Sequence, residues 1–175
     1  MRPWFVAVVA VLTFGAVSVS ADERVDFKGP HICCKQCVKA IAAVLKDIEG
    51  ISDAKCDIKE KTVSFTAKDK KAADAAVKAL YDNGFAGEGK FGDAKLGGKT
   101  GKKTEGKVDT VTVKGVHACC GMCHKAIKAL WPDATVTIDG SGPMRDITVA
   151  GKDLNAGEVI MALRKAGFNG KIDKK

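Results

Sequence analysis

Aromatic side chains are scarce in this chain. They make up 6% of its 175 residues. Proteins that bind single-stranded nucleic acid stack bases on exposed aromatic rings, so this scarcity argues against that class. The net charge of +8 does not change the conclusion, because six of the lysines lie between residues 89 and 107 and no basic stripe follows the regions on either side. We therefore expect no nucleic acid among the partners of this protein.

Long apolar runs are also lacking, with one exception at the N-terminus. Residues 4–19 are nearly uncharged, follow Arg2 and lead into small residues up to Ala21. This arrangement is typical of a secretory signal peptide. The alternative is an uncleaved membrane anchor, which normally needs about 20 apolar residues. We expect residues 1–21 to be a signal peptide, the mature protein to be secreted or periplasmic, and no stable membrane span to remain after cleavage.

Carboxylates are missing from the two most unusual segments, which share the pattern HxCCxxC. Residues 31–37 form the first motif and residues 117–123 the second, and together they hold six of the seven cysteines. The available donors are thiolate sulfur and imidazole nitrogen, which suit Cu(I), Zn(II) or heavier thiophilic ions and do not suit Mg²⁺ or Ca²⁺. The candidate metal ligands are His31, Cys33, Cys34, Cys37, His117, Cys119, Cys120 and Cys123.

The two motifs belong to a longer internal repeat. Residues 39–41 match residues 125–127 at the same offset as the motifs, and residues 83–85 correspond to residues 166–168 near the end of each unit. Residues 89–107 contain six glycines and six lysines, a composition typical of a flexible linker. The expected organisation is a first domain over residues 22–88, a linker over residues 89–107 and a second domain over residues 108–175.

Hydrophobic periodicity in the first unit predicts the order strand, helix, strand, strand, helix, strand. Apolar residues recur at helical spacing from Cys37 to Ile48 and from Lys70 to Asn83. They alternate with polar residues in two runs that predict a hairpin, and short strands begin and end the unit. The predicted strands cover residues 25–28, 54–58, 63–67 and 85–88. We expect an α+β fold of the ferredoxin-like type, in which a four-stranded antiparallel sheet is covered on one face by two helices.

The second unit shows the same βαββαβ order with a shorter first helix. That helix is expected from Cys123 to Leu130, because Pro132 cannot continue it, and the second helix is expected from Asn155 to Ala166. Strands are expected at residues 108–113, 136–138, 146–149 and 168–172. A helix that begins at the last cysteine of each motif directs unpaired amides and its positive dipole end at the cysteine loop, which favours thiolates.

Each unit resembles a heavy-metal-associated (HMA) domain, the ferredoxin-like module of copper chaperones, metal-transporting ATPases and periplasmic mercury-binding proteins. The resemblance covers nearly all of the mature chain and centres on the family's GMxCxxC motif between its first strand and first helix. It implies that the two CxxC cysteines grip the metal, and that a Gly-Phe pair after the second helix lies close to the site. The matching residues are Cys34 with Cys37, Cys120 with Cys123, Gly84-Phe85 and Gly167-Phe168.

The motifs depart from the family pattern in ways that add ligands. Ile32 and Ala118 replace the family's methionine, which usually packs inward, so binding should survive this change. The family's glycine is a histidine here, and the residue before the CxxC is a third cysteine. These additions favour a higher coordination number than a two-thiolate copper site has, and four ligands from one motif would nominally form a Cys₃His zinc site.

Several of these side chains have alternative roles. The CxxC pairs also suit a disulfide in an exported protein. The third cysteine of each motif is a ligand, a packing residue or a partner in disulfide exchange, and each motif histidine either ligates or hydrogen-bonds the loop. His124 either distinguishes the second site or lies exposed on its helix. Cys56 is expected in the core, and Met122 is expected to face solvent.

The sequence predicts an exported metal-binding protein, not an enzyme, that captures, buffers or hands on a soft metal ion by thiolate exchange. Its expected partners are the ion, Cu(I) or Zn(II), and a metal-transporting or metal-accepting protein. The alternative is a thiol-disulfide redox protein that uses the CxxC pairs. Such proteins usually place a proline opposite the site, and the first unit has none after Pro30. An RNA-binding module of the same βαββαβ order would display aromatic rings on its central strands, where only the inward-facing Phe65 occurs.

Overall fold

The computed structural model describes residues 22–98 and 106–173. Within these ranges the chain forms four helices and two antiparallel sheets, an α+β architecture. The expected signal peptide and residues 99–105 of the expected linker lie outside the described residues. The helices are α1 (Lys35–Lys46), α2 (Lys70–Asp82), α3 (Gly121–Lys128) and α4 (Ala156–Lys165). The strands are β1 (Glu23–Lys28), β2 (Ile51–Asp57), β3 (Thr62–Ala67), β4 (Glu88–Phe91), β5 (Ala94–Gly97), β6 (Val108–His117), β7 (Thr135–Asp139), β8 (Met144–Leu154) and β9 (Lys171–Ile172).

The first half of the chain builds a five-stranded sheet with the order β2-β3-β1-β4-β5. The predicted alternation is visible in β3, where Val63, Phe65 and Ala67 are buried and the residues between them are partly exposed. Because α1 repeats every 3.6 residues, positions four apart along it share one face and enter the same core. These inward residues of α1 are Cys37, Ile41 and Leu45.

The second half builds a four-stranded sheet with the order β7-β8-β6-β9. Helix α3 ends at Lys128, two residues before the predicted end, in advance of Pro132. The last strand is also shorter than predicted and covers only Lys171–Ile172. Its expected first residue, Phe168, instead forms an isolated antiparallel bridge with Phe85 of the first half.

The expected linker is partly folded, which corrects the prediction that it begins at Gly89. Strands β4 and β5 form a hairpin over residues 88–97 that extends the first sheet. Leu96 is buried at 1% exposure. The hydroxyl of Tyr81 in α2 donates to the carbonyl oxygen of Gly87 and accepts from the amide of Gly98, 3.1 Å away. Packing on α2 and hydrogen bonds to Tyr81 therefore order a segment whose glycine and lysine content suggested a coil.

The two halves meet at the ends of their second helices. Beside the pairing of Phe85 with Phe168, the amide of Asn169 donates to the carbonyl of Gly84 over 2.8 Å. The side-chain amide of Asn169 donates to the carbonyl of Tyr81 over 2.7 Å. Buried side chains of both halves belong to one connected core. None of the helices among the described residues is both long enough and apolar enough to cross a membrane.

Candidate metal centre

Both CxxC pairs lie at helix N-termini. Cys34 is the N-cap of α1 and Cys120 is the N-cap of α3, with extended backbones at φ −157° and −152°. The second cysteine of each pair, Cys37 or Cys123, lies in the first helical turn and is fully buried. The helices were expected to begin at these second cysteines, but they begin directly after the first ones. Both thiols of each pair therefore adjoin the positive end of a helix dipole.

The loop of each motif lies against the Gly-Phe pair of the opposite half. The main-chain amide of His31 donates to the carbonyl of Gly167 over 3.0 Å. A Cβ built on Gly167 would lie 2.3 Å from that amide nitrogen, and a Cβ built on Gly84 would lie 2.3 Å from the amide nitrogen of His117. Both glycines have positive φ, +88° and +84°. They are required here both for their backbone conformation and for the close approach of the other motif.

This contact brings Cys119 of the second motif onto the CxxC pair of the first. The sulfurs of Cys34 and Cys37 are 3.8 Å apart. The sulfur of Cys119 lies 3.7 Å from that of Cys34 and 3.6 Å from that of Cys37. Three thiols from two motifs therefore form one triangle.

The same arrangement occurs on the other side of the contact. The sulfurs of Cys120 and Cys123 are 3.7 Å apart, and the sulfur of Cys33 lies 3.4 Å from each of them. A separation of 3.9 Å between the sulfurs of Cys33 and Cys37 connects the two triangles. All six cysteines are free thiols. We call this group of six sulfurs the thiol cluster.

The two motif histidines lie at the edge of the thiol cluster. The ring of His31 stacks on Phe168 with centroids 4.3 Å apart, and the ring of His117 packs on Phe85 with centroids 4.4 Å apart. In both rings Nε2 is buried and has no hydrogen-bond partner. A buried polar atom without a partner is costly, and a metal ion would remove that cost. Burial also lowers the pKa of His31, which favours the neutral, ligating form.

Each histidine is within reach of sulfurs from both motifs. One ring nitrogen of His117 lies within 4.8 Å of the sulfurs of Cys37 and Cys119. One ring nitrogen of His31 likewise lies within 4.8 Å of the sulfurs of Cys33 and Cys123. Three sulfurs about 2.3 Å from a tetrahedral Zn²⁺ would be about 3.8 Å apart, close to the spacing in each triangle. The donor set and its spacing therefore fit a soft metal ion.

The thiols of the cluster differ in pKa, in part because they hydrogen-bond to one another. The thiol of Cys123 lowers the pKa of Cys37 well below its ordinary value, an effect that outweighs burial, and the same interaction raises the pKa of Cys123. Burial raises the pKa of Cys33 to about 12 and raises that of Cys119 as well. Burial acts in the same direction on Cys120, but hydrogen bonds from backbone amides of its helix turn and from the thiols of Cys33 and Cys123 together outweigh it and lower its pKa to about 7. Each CxxC pair thus holds one thiol that favours the metal-binding thiolate.

Three residues considered in the sequence lie outside these groupings. Cys56 lies on β2 opposite Val63, packs against the core, and has a pKa raised by burial to about 11. Nε2 of His124 donates to the carbonyl of Ala118 over 3.1 Å. Met122 is 55% exposed. None of the three contributes to the described groups of side chains that can hold a metal ion.

Comparison with known proteins leaves the site to be interpreted from its own chemistry. No family model matches the chain, and no curated protein matches it significantly.

The sequence indicates one candidate site in each half and leaves open whether the two units act separately or meet. The resemblance implies that Phe85 and Phe168 lie near the site of their own unit, whereas in the structure each ring packs on the histidine of the opposite motif. The available signal was that both repeats carry the same Gly-Phe pair after the second helix. A glycine with positive φ at that position permits close approach by another backbone, and here that backbone is the opposite motif.

Proposed function

We propose that this protein binds a soft metal ion, Cu(I) or Zn(II), at the thiol cluster and acts as an exported metallochaperone, scavenger or buffer. The observation that carries the proposal is the convergence of six free thiols, with neighbouring sulfurs 3.4–3.9 Å apart, beside two buried imidazole nitrogens that have no partner. Sulfur and imidazole donors with no carboxylate among them select thiophilic ions. The metal is cargo in this proposal, and no chemical reaction is assigned to the protein.

The fold supports placing both halves among the HMA-like, ferredoxin-like domains. The second half has the order βαββαβ with the sheet order β7-β8-β6-β9, and the first half has the same succession with the sheet order β2-β3-β1-β4, extended by β5 at its end and edge. In both halves the cysteine motif follows the first strand or begins at its last residue, and it ends in the first turn of the first helix. Export is proposed from the apolar segment and small residues of positions 1–21, and it would deliver the protein to the periplasm or the exterior.

The exposure of the thiols supports exchange with a partner protein. Cys34 and Cys120 are partly exposed, whereas Cys37 and Cys123 are fully buried. An incoming thiolate from a metal-transporting or metal-accepting protein would therefore reach the ion from the side of Cys34 or Cys120. Ligand exchange through a shared intermediate would proceed with the buried thiols leaving last.

Anaerobic titration of the reduced full chain with Cu(I) and with Zn(II), against a chromogenic chelator, tests this function. We expect tight binding of at least one of these ions and its loss when Cys34, Cys37, Cys120 and Cys123 are all replaced by serine. Cys56→Ser is the matched control, because Cys56 lies outside the thiol cluster, and it should bind as the unmodified chain does. Failure to bind either ion, together with turnover in disulfide reduction, would replace this proposal with the thiol-disulfide redox function.

A further inference from the structure

We propose that the chain holds two metal ions in crossed sites, each built from the CxxC pair of one motif and the His-x-Cys of the other. One site consists of Cys34, Cys37, Cys119 and His117, and the other consists of Cys120, Cys123, Cys33 and His31. The inference rests on the proposed soft-metal function and adds the ligand set, the number of ions and their dependence on both halves.

The sulfur positions are the main evidence for the crossed sites. In the first crossed site the three Sγ–Sγ distances are 3.8, 3.7 and 3.6 Å. In the second they are 3.7, 3.4 and 3.4 Å. Each triangle is closed on all three sides, and the two triangles share no sulfur. The pattern follows the internal repeat, because exchanging the equivalent cysteines of the two motifs converts one triangle into the other.

Backbone geometry favours different directions for the third cysteine and the first cysteine of the adjoining CxxC pair. Cys33 and Cys34 are consecutive, and Cys34 has an extended backbone with φ −157° and ψ 170°. Side chains of consecutive residues in an extended segment point to opposite sides. The sulfur of Cys33 still lies 3.9 Å from that of Cys37, but it approaches the sulfurs of Cys120 and Cys123 more closely, at 3.4 Å each. The second motif repeats this geometry at Cys120, where φ is −152° and ψ is 169°.

The junction between the halves places the His-x-Cys segment of each motif next to the CxxC pair of the other. The contacts of the two glycines with the opposite motif loops bring each His-x-Cys segment beside the other CxxC pair. The imidazole of His117 lies within 4.8 Å of Cys119 in its own motif and of Cys37 in the other. The imidazole of His31 has the equivalent relation to Cys33 and Cys123. A nitrogen donor thus accompanies each crossed triangle and brings its donors to four, as in a Cys₃His site.

The competing arrangement keeps all three cysteines of a motif on one ion. Cys33, Cys34 and Cys37 do lie within 4.8 Å of one another. This triad includes the separation of 3.9 Å between Cys33 and Cys37, whereas every side of the crossed triangles is 3.8 Å or less. It would also leave the close contacts of Cys33 with Cys120 and Cys123 unused. The crossed arrangement uses the shortest sulfur contacts in both halves.

The ligands can be mapped directly with ¹¹³Cd²⁺ as a thiophilic probe of the unmodified full chain. Two-dimensional correlation of ¹H with ¹¹³Cd links each bound ion to the β-protons of its own cysteines. We expect two cadmium signals, one coupled to Cys34, Cys37 and Cys119, and the other coupled to Cys120, Cys123 and Cys33. Two signals that each couple only within one motif would overturn the crossing, as would a single cluster in which sulfurs bridge several ions.

A variant series tests the same crossing with Cu(I) and Zn(II). The double substitution Cys120→Ser and Cys123→Ser removes the second CxxC pair and leaves one site to be measured. In that background the crossing predicts that Cys119→Ser weakens the remaining site by at least about tenfold, because changes even outside the ligand sphere cost 10–100-fold. Cys33→Ser is the matched control and should weaken the site less than Cys119→Ser does, because in this background it removes no ligand of the remaining site.

The possible results separate the two proposals. A larger effect of Cys33→Ser than of Cys119→Ser would assign the third thiol to its own motif and overturn the crossing. Equal affinities in both variants would indicate two-thiolate binding, which also overturns the crossing but leaves the soft-metal function intact. Failure of the unmodified chain to bind Cu(I) or Zn(II) would reject the function itself. Circular dichroism of each variant checks folding, and the cadmium experiment needs no substitution.

Discussion

The main-chain amide of His31 donates to the carbonyl of Gly167 across the junction of the two halves, over 3.0 Å. Gly167 has φ +88°, and a Cβ at this position would overlap the backbone of Pro30 and His31. One backbone contact therefore fixes how closely the first motif approaches the second half. Since the backbone of His117 approaches Gly84 equally closely, the thiol cluster depends on two glycines that carry no ligand atom.

Replacing Gly167 by alanine should destabilise the protein through the junction. A side chain at positive φ costs about 1–2 kcal/mol, and the overlap with residues 29–31 adds to this cost. We expect the free energy of unfolding of the metal-free chain to fall by more than about 2 kcal/mol, measured by denaturant titration. The metal affinity should fall as well, because the halves can no longer approach.

Gly142→Ala is the matched control for this substitution. Gly142 lies in the turn between β7 and β8 at φ +76°, and no atom lies within 4 Å of the position of its Cβ. It therefore carries the backbone strain without the overlap, and it should cost about 1 kcal/mol while leaving metal affinity unchanged. Equal losses of stability and affinity for Gly142→Ala and Gly167→Ala would contradict a specific role for the junction.

His117→Phe should separate metal binding from metal-free stability. The phenyl ring can keep the contact with Phe85, and the change removes a buried nitrogen without a partner, which costs about 1–3 kcal/mol when left unpaired. We therefore expect the free energy of unfolding without metal to stay constant or rise. The affinity for Zn(II) at one of the two sites should fall by at least about tenfold.

Co(II) substitution and His124→Phe complete that test. Co(II) bound by three sulfurs and one nitrogen has a different absorption spectrum from Co(II) bound by three sulfurs, so the loss of the imidazole is visible directly. His124 donates to the carbonyl of Ala118 and lies outside the metal-holding groups, so its replacement should leave the spectrum unchanged. An unchanged spectrum in His117→Phe would assign His117 a structural role only.

The α+β class and most elements could be predicted from the sequence because apolar periodicity is strong in them. The buried alternation of β3 and the inward face of α1 follow the predicted pattern. The β4–β5 hairpin was missed because glycine and lysine dominate residues 89–97. The Gly92-Asp93 turn between Phe91 and Ala94 is nevertheless typical of a two-residue hairpin loop.

The thiol cluster could be predicted only in part. Spacing within one motif indicates which cysteines lie at a helix start, and the structure has both CxxC pairs there. The spacing within a motif contains no information on how the two repeats meet, because their contact depends on long-range backbone contacts such as those of Gly84 and Gly167. The position of Cys33 against the opposite pair therefore needed three-dimensional information.

Cys56 should remain unreactive toward iodoacetamide at neutral pH. Burial raises its pKa to about 11, so the reactive thiolate is a minor form at pH 8 and increases about tenfold per pH unit as the pH rises toward the pKa. In metal-loaded protein the six cysteines of the thiol cluster are protected, so mass spectrometry reports Cys56 alone. The unfolded chain is the control and should label rapidly at pH 8, whereas equally rapid labelling of the folded protein would contradict burial of this thiol.

Metal should hold the two halves together after the connection between them is cut. A protease recognition sequence introduced between residues 99 and 105 would allow cleavage of the folded, metal-loaded chain. If each ion takes ligands from both halves, metal binding and association are linked, and the ion should lower the Kd of the two fragments by at least about a hundredfold. Titration calorimetry of the separated fragments with and without Zn(II) measures this ratio.

The control for the cleavage experiment removes only the crossing ligands. The quadruple variant Cys33→Ser, Cys119→Ser, His31→Phe and His117→Phe keeps both CxxC pairs and removes every ligand that the crossed assignment places on the pair of the opposite half. In this variant metal should change the Kd of the fragments by less than about tenfold, because the main-chain contacts of Phe85 and Phe168 remain and do not depend on the ion. A metal effect of the same size in both proteins would mean that association follows from folding within each half. An absent effect in both would mean that each ion is bound within a single motif.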